Sequence, residues 1–292
     1  MSCRWRYDHK HMTPLDDNWF SEIHENLWPG RAFSLRIDRL LYQERSRYQD
    51  ICIFENSGVG RVLMLDNIIQ LTESDEFAYQ EMIAHIPLFA HPDPRRVLLI
   101  GGGDGGVARE VAKHPGVEII DLCEIDGMVI EASKKFLPFT SVGFSDPRVK
   151  VHIQDGAEFA GERIEAYDVI IVDSSDPIGP AKVLFEEPFY RSLKAALKSD
   201  GIMMNQAESV WLHLSLIKDL QNTARGLFPI AEYCFTCVPT YPSGQIGFLC
   251  CSKQYDVRRP QRQPDQPFQE GLRYYTPDMH RASFHLPAFV SR

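Results

Sequence analysis

The 292-residue chain has no apolar run approaching the length of a membrane span, so no transmembrane helix is expected. Its first twenty residues, MSCRWRYDHKHMTPLDDNWF, lack the apolar core of a signal peptide, which makes the cytoplasm the expected compartment. Positive charge is in the minority: 31 Lys and Arg stand against 40 Asp and Glu, a net charge of −9. That balance argues against a nucleic-acid partner and suits a cationic substrate. Seven cysteines, an odd number in so long a chain, do not make a disulfide framework. Cys234 and Cys237 have redox or metal spacing, but no second pair follows, and like Cys250 and Cys251 they fall in apolar, strand-like runs. Core packing is their expected role. His9 and His11 lie in a polar N-terminal segment with no ligand cluster nearby, so no metal is expected. No internal repeat is present, and DVRRPQRQPDQPF near the end reads as an extended surface segment.

What is present falls into two rhythms. From Ala32 to Leu71 the runs FSLRIDRLLYQE, QDICIFEN and GRVLMLDNIIQLT alternate and are separated by turn signals such as Asn56-Ser57-Gly58, which predicts antiparallel strands in a small β domain. SDEFAYQEMIAHIPLFAH then has apolar spacing near 3.6 and reads as a helix. From Arg96 onward strands near 96–100, 117–124, 149–154, 167–173 and 201–205 alternate with helices near 105–113, 126–136, 157–163, 186–198 and 211–225, which implies a parallel sheet covered on both faces. Two more strands, near 230–238 and 245–251, are joined by PTYPSG, too short for a crossover helix, so they form an antiparallel hairpin at one edge. The expected fold is α/β: a Rossmann-like, class I methyltransferase-type sheet of seven strands carrying a small N-terminal antiparallel β domain. The division expected is 1–75 and 76–292.

The stretch VLLIGGGDGGVAREV, residues 97–111, matches the dinucleotide fingerprint at Gly101, Gly103 and Gly106, with Glu124 near the ribose-gripping position. A nicotinamide dehydrogenase is therefore one reading. Asp104 opposes it, since a carboxylate about 4 Å from a pyrophosphate costs roughly 4 kcal/mol per charge pair at an effective dielectric near 20. A cationic ligand removes the conflict; a bland alternative has Asp104 capping the helix in solvent.

In an open parallel sheet ligands bind beyond the carboxyl ends of the strands, and those ends carry Asp104, Glu124, Asp155, Asp173 and Asp176. Glu124 suits a ribose diol and Asp155 an adenine amino group, with Gly156 leaving room for the ring. Each carboxylate is also a plausible cap or turn residue. Three further carboxylates in one crevice repel one another unless cations lie between them, and no histidine stands among them to favour a metal.

The motifs GGGDGG, EID, QDG, DSSDPIGP and PTYPSGQIGF occur in the order and roughly the spacing of the spermidine synthase family of polyamine aminopropyltransferases, and the chain resembles that family from near Trp19 to near Tyr274. The resemblance implies transfer of an aminopropyl group from decarboxylated S-adenosylmethionine to putrescine, giving spermidine and methylthioadenosine, with no cofactor beyond this co-substrate, and a homodimer or homotetramer. It also implies site roles. Gln49, Gln80, Asp104, Glu124, Asp155 and Gly156 resemble the donor-binding residues, Asp173 the general base, and Tyr79, Asp173, Asp176 and Tyr241 those that hold the diamine. Gln206 and Glu208, in NQAESVWLH, fall in a variable segment and are open candidates for substrate contact. A putrescine N-methyltransferase using intact S-adenosylmethionine is the nearest rival, and a regulatory subunit without activity is a third reading; the latter is expected to lack Asp173 or Asp176, and both are present.

Overall fold

The computed structural model describes residues 18–175 and 183–290. In the N-terminal region β1 (Trp19–Ile23) and β2 (Ala32–Arg36) form a two-stranded antiparallel sheet, and β3 (Arg39–Arg45), β4 (Asp50–Asn56), β5 (Gly60–Leu65) and β6 (Ile68–Thr72) form a four-stranded antiparallel meander. The run FSLRIDRLLYQE, read as part of one small β domain, is divided at Ile37 and Asp38 between these two sheets. The break is fixed locally: Asp38 donates its amide to the Glu55 carbonyl at 2.9 Å and accepts from the Ser57 amide at 2.6 Å, turning the chain. Residues 19–23, read from sequence only as a family match, supply the partner strand for 32–36.

Helix α1 (Glu76–Ala90) leads into the larger layer. There β7 (Arg96–Gly101), α2 (Gly106–Ala112), β8 (Ile119–Glu124), α3 (Gly127–Phe136), α4 (Pro138–Ser141), β9 (Val149–Ile153), α5 (Gly156–Gly161), β10 (Tyr167–Asp173), α6 (Glu187–Ala196), β11 (Leu197–Gln206), α7 (Leu214–Leu227), β12 (Ile230–Cys237) and β13 (Gln245–Ser252) follow in order. The sheet order is β12-β13-β11-β10-β7-β8-β9, with β7 to β11 parallel and β13 antiparallel to both β11 and β12. This is the expected seven-stranded α/β sheet with its edge hairpin. One helix too short to be read from periodicity, α4, intervenes between α3 and β9, and α8 (Gln266–Glu270) and α9 (Pro277–Ala282) close the chain.

The core explains why α1 is buried nearly all round. Met82, Ile83, Ile86 and Phe89 pack with Leu99, Val107, Val111, Ile120 and Ile171 on one face of the sheet, while Leu98, Ile170, Tyr190, Leu193 and Met203 fill the other. The N-terminal meander is joined to this body through Ile51, Ile53, Leu63 and Leu71, which pack on Val129 and Ala132 of α3 and on Leu137. Cys234, Cys250 and Cys251 lie in the core as expected, whereas Cys237, at the end of β12, is exposed. The segment DVRRPQRQPDQPF runs largely at the surface as expected, but it is anchored: Val257 is fully buried, and half-buried Arg262 donates to the carbonyls of Leu88 at 2.6 Å and His91 at 3.1 Å, satisfying the orphan end of α1.

Polar residues on so buried a helix need partners, and Glu81 has three: the amides of Arg273, Tyr274 and Tyr275, each at 2.8 Å. This carboxylate holds the C-terminal segment against the core. Glu81→Gln leaves one good acceptor facing three donors and is expected to cost roughly 2–4 kcal/mol. A denaturant titration followed by tryptophan fluorescence reads the loss, and a midpoint equal to wild type would contradict it.

Candidate functional site

The parallel register brings the strand ends into one row. Asp173 of β10 stands beside Gly101 of β7, and Glu124 of β8 stands beside Ile153 of β9, two residues before Asp155. Neighbouring strand ends therefore carry Asp173, the glycine loop with Asp104, Glu124 and Asp155 along one rim, as carboxyl-end binding predicts. The loop passes so close to β10 that a Cβ on Gly101, at φ +80°, would fall 2.0 Å from the Asp173 carbonyl oxygen. Only glycine allows that approach.

Asp104 is buried, not a solvent-facing cap. Its Oδ1 accepts from the Gly106 amide at 2.8 Å and from Gln80 Nε2 at 3.1 Å, so it braces the first turn of α2 and still lines the cavity. Glu124 Oε1 accepts from the Asp126 amide at 2.9 Å, and Gly103 keeps the loop clear of it, since a Cβ there would lie 3.0 Å from Glu124 Oε2. Gln49 reaches the same cavity from the turn after β3 and donates from Nε2 to Asp126 Oδ2 at 3.0 Å. Asp155 caps α5 through the Ala157 and Glu158 amides at 2.7 and 3.3 Å while also lining the cavity. For Gly156 the structure adds a packing reason: it lines the cavity, and a Cβ would meet Ile100 Cγ2 at 2.3 Å, so the close packing of α5 on β7 also calls for a glycine.

On the other side of the rim Tyr79 donates its hydroxyl to Asp173 Oδ1 at 2.7 Å, and its ring lies 6.3 Å from that of Tyr241 and 5.4 Å from that of Phe248. Tyr241 donates to the Gln70 carbonyl at 2.7 Å. Its loop is anchored by Asp75, which accepts from the Thr240 amide at 2.9 Å. Asp176 lies outside the described residues. The other nine expected site residues all line one cavity.

Sequence reasoning missed part of the wall. Glu22 and Trp28, from the first residues described, line the same cavity, as do the open candidates Gln206 and Glu208. Glu22 is almost fully buried; its Oε1 accepts from the Ile69 amide at 3.0 Å, while its Oε2 has no partner. Trp28 Nε1, Gln206 Oε1 and Gln245 Nε2 are likewise buried and unpartnered. Glu208, at φ +63°, lies 2.9 Å from His213 Nδ1 and 3.4 Å from Gln206 Nε2. Orphaned polar atoms in the wall of a cavity call for a ligand with donors and acceptors of its own. The left-handed Glu208 is a signal that only the folded backbone carries.

Burial sets the charge state of the cavity wall. It pushes Asp173 up to about 8, with the Asp104 charge as the next contributor, and pushes Glu124 and Glu22 up to about 7; Asp104 is raised for the same reason. A bound cation favours the ionised forms, so binding must expel protons. Affinity for a cationic ligand is expected to rise as pH climbs through 7 to 8 and to level off above about pH 9, where the carboxylates are already ionised. Calorimetry near neutral pH in two buffers of different ionisation enthalpy checks this; a heat independent of buffer would contradict it.

Among the described residues one further group, His91, Asp168 and Asp200, brings three metal-type donors near one another, at the amino ends of the strands. The two carboxylates already have partners, Asp200 Oδ2 accepting from the Tyr255 hydroxyl at 3.2 Å, while His91 Nε2 is buried without a hydrogen bond, 3.7 Å from Asp200 Oδ2. His91 Nδ1 accepts from the Asp93 amide, which leaves the ring proton of the neutral form on Nε2, and Asp168 holds Lys198 Nζ at 2.7 Å and two amides.

Comparison with known proteins follows the same geometry. Residues 76–261 match a family model described as the spermine/spermidine synthase domain, and residues 18–73 match one described as the spermidine synthase tetramerisation domain. The chain is 53% identical to a spermidine synthase of Dictyostelium discoideum, over 96% of this chain and 99% of that protein. It is 46% identical to a spermine synthase of Arabidopsis thaliana, over 100% of this chain and 88% of that protein. A crystal structure of a spermidine synthase in complex with the transition state analogue AdoDATO superposes with a TM-score of 0.87 at 39% identity, covering 96% of this chain and 95% of that one.

Proposed function

The chain belongs to the spermine/spermidine synthase family, and we propose that it acts as a spermidine synthase, moving an aminopropyl group from decarboxylated S-adenosylmethionine to putrescine. Spermidine and methylthioadenosine are the products. The observation that carries the reading is the Tyr79–Asp173 pair at the end of β10, set against the glycine loop that holds Asp104.

The donor's sulfonium makes the adjacent methylene electrophilic, and its departure as a neutral thioether needs neither metal nor cofactor. The nucleophile has to be a free amine. An alkylamine with a pKa near that of lysine, about 10.4, costs roughly 4–5 kcal/mol to deprotonate at neutral pH. Asp173, its basicity lifted by burial and held by the Tyr79 hydroxyl at Oδ1, takes that proton as the nitrogen attacks. The Tyr79 and Tyr241 rings flank the methylene chain, and the far ammonium is drawn to the acidic side chains Glu22 and Glu208 of the cavity wall; Asp176, outside the described residues, is the further diamine partner that the family resemblance implies. Gln49 and Glu124 take the ribose, Asp155 the adenine amino group, and Gln80 with Asp104 the donor's ammonium.

No helix among the described residues is long and apolar enough to cross a membrane, and the reading places the protein in the cytoplasm. Trp19, Ile23 and Leu40 are exposed on the N-terminal sheets, within the residues matched by the tetramerisation model. They suit a homodimer or homotetramer built through that region.

The test is direct. Incubation with decarboxylated or intact S-adenosylmethionine, each with putrescine or spermidine, is read by mass spectrometry. Spermidine and methylthioadenosine from the decarboxylated donor and putrescine are expected; methylated putrescine from the intact donor, or spermine as the main product, would replace the reading.

A further inference from the structure

The hydrogen bonds around Asp126 all have a determined direction. Asp126 is buried at the start of α3; its Oδ2 accepts from Ser46 Oγ at 2.6 Å and from Gln49 Nε2 at 3.0 Å, and its Oδ1 accepts from the Met128 amide at 3.1 Å. Ser46 Oγ itself accepts from the Tyr48 and Gln49 amides, both at 3.0 Å, so its proton goes to the carboxylate. A carboxylate filled by three donors presents only acceptors, and the Gln49 atom beside it must be the amide nitrogen. Gln49 Oε1 is then the atom left over: it takes no hydrogen bond among the described residues, on a side chain that lines the cavity. Through its own amide Asp126 also holds Glu124 Oε1 at 2.9 Å.

The geometry points to Asp126 as a positioning residue that sets nucleoside specificity: by locking the polarity of the Gln49 amide it leaves two acceptors, Gln49 Oε1 and the Glu124 carboxylate, facing the ligand. The site then takes a nucleoside as a free diol whose hydroxyls both donate, and refuses one in which either hydroxyl has lost its proton. The inference rests on the reading of Gln49 and Glu124 as the ribose wall. Asp126 is not among the residues that line the cavity; from the head of α3 it acts on Ser46 and Gln49 of the β3–β4 turn, so the N-terminal meander helps choose the donor.

The experiment measures by calorimetry, near pH 8.5 so that Glu124 is ionised, the affinity for methylthioadenosine and for its 2′-deoxy-2′-fluoro and 3′-deoxy-3′-fluoro analogues. Fluorine fills the place of the hydroxyl but has no proton to give. Wild type is expected to bind at least one fluoro analogue roughly 10-fold or more weakly than the parent. In Asp126→Asn a single oxygen faces the three donors, Ser46 Oγ, Gln49 Nε2 and the Met128 amide, so they can no longer all be held and the polarity of the Gln49 amide is no longer fixed. Methylthioadenosine should weaken by about 10-fold and the penalty for the fluoro analogue should shrink. Gln49→Ala should also shrink that penalty, and Asp126→Asn should add nothing to it in the Gln49→Ala background, where a purely structural role would keep its full effect. An unchanged penalty in Asp126→Asn, or in Gln49→Ala should the first variant not fold, overturns the assignment while leaving the donor reading intact. Wild-type protein that binds the fluoro analogues as tightly as the parent overturns it too. No binding of methylthioadenosine at all overturns the donor reading, and this inference with it.

Discussion

Asp173→Asn is expected to lower the rate of the chemical step by about 100-fold or more while leaving donor affinity within a few-fold of wild type. The substitution is close to isosteric, and its amide oxygen still accepts the Tyr79 hydroxyl that now sits 2.7 Å from Oδ1. What it removes is the basic lone pair. Because burial and the Asp104 charge raise the Asp173 carboxyl to about 8, its affinity for a proton lies much nearer to that of an amine than an exposed carboxylate's does. Asparagine offers nothing comparable. Single-turnover rates and donor dissociation constants measured between about pH 6 and pH 9 separate the two effects; turnover near wild type throughout that range would remove Asp173 from the base role.

The second large effect concerns Asp104 and the choice between two sulfonium donors. Decarboxylated S-adenosylmethionine ends in a lone ammonium, whereas the intact compound adds a carboxylate that would face Asp104 in a buried site. The same charge attracts one and repels the other, and each contact at about 4 Å is worth roughly 4 kcal/mol at an effective dielectric near 20. Asp104→Asn keeps an oxygen for the Gly106 amide and for Gln80, so the first turn of α2 survives, which a branched apolar side chain would not allow. The decarboxylated donor is expected to weaken by about 100-fold, the intact one to change little or tighten, and the ratio of their dissociation constants to collapse. Titration of both donors into wild type and variant reads that ratio directly. An unchanged ratio would reduce Asp104 to a brace for the glycine loop.

Much of this was legible from local pattern. The alternation of strands and helices after Arg96, the short PTYPSG link and the strand-end carboxylates depend only on residues close in sequence, where hydrophobic period and turn chemistry act. The division of FSLRIDRLLYQE between two sheets was not, because the turn at Asp38 is held by Glu55 and Ser57, seventeen and nineteen residues away. The anchoring role of Arg262 was hidden for the same reason: the basic, proline-rich stretch does run along the surface, but the open carbonyls that Arg262 meets belong to α1, far away in the chain.

By itself the sequence determined the seven-stranded α/β body with its small β domain, the row of acids at the strand ends and the family, since these follow from periodicity, spacing and motif. Only the tertiary structure decided which atoms of those acids remain for a ligand. Asp104 and Asp155 each spend an oxygen on a helix start, Asp173 holds Tyr79, and Gln49 gives its nitrogen to Asp126. It alone brought Glu22 and Trp28 into the cavity wall, and it alone raised Asp173 and Glu124 out of the ordinary carboxylate range. The reason is physical: a residue's type sets how many donors and acceptors it owns, but burial and its neighbours across the fold set which are already taken and how much the charged form costs.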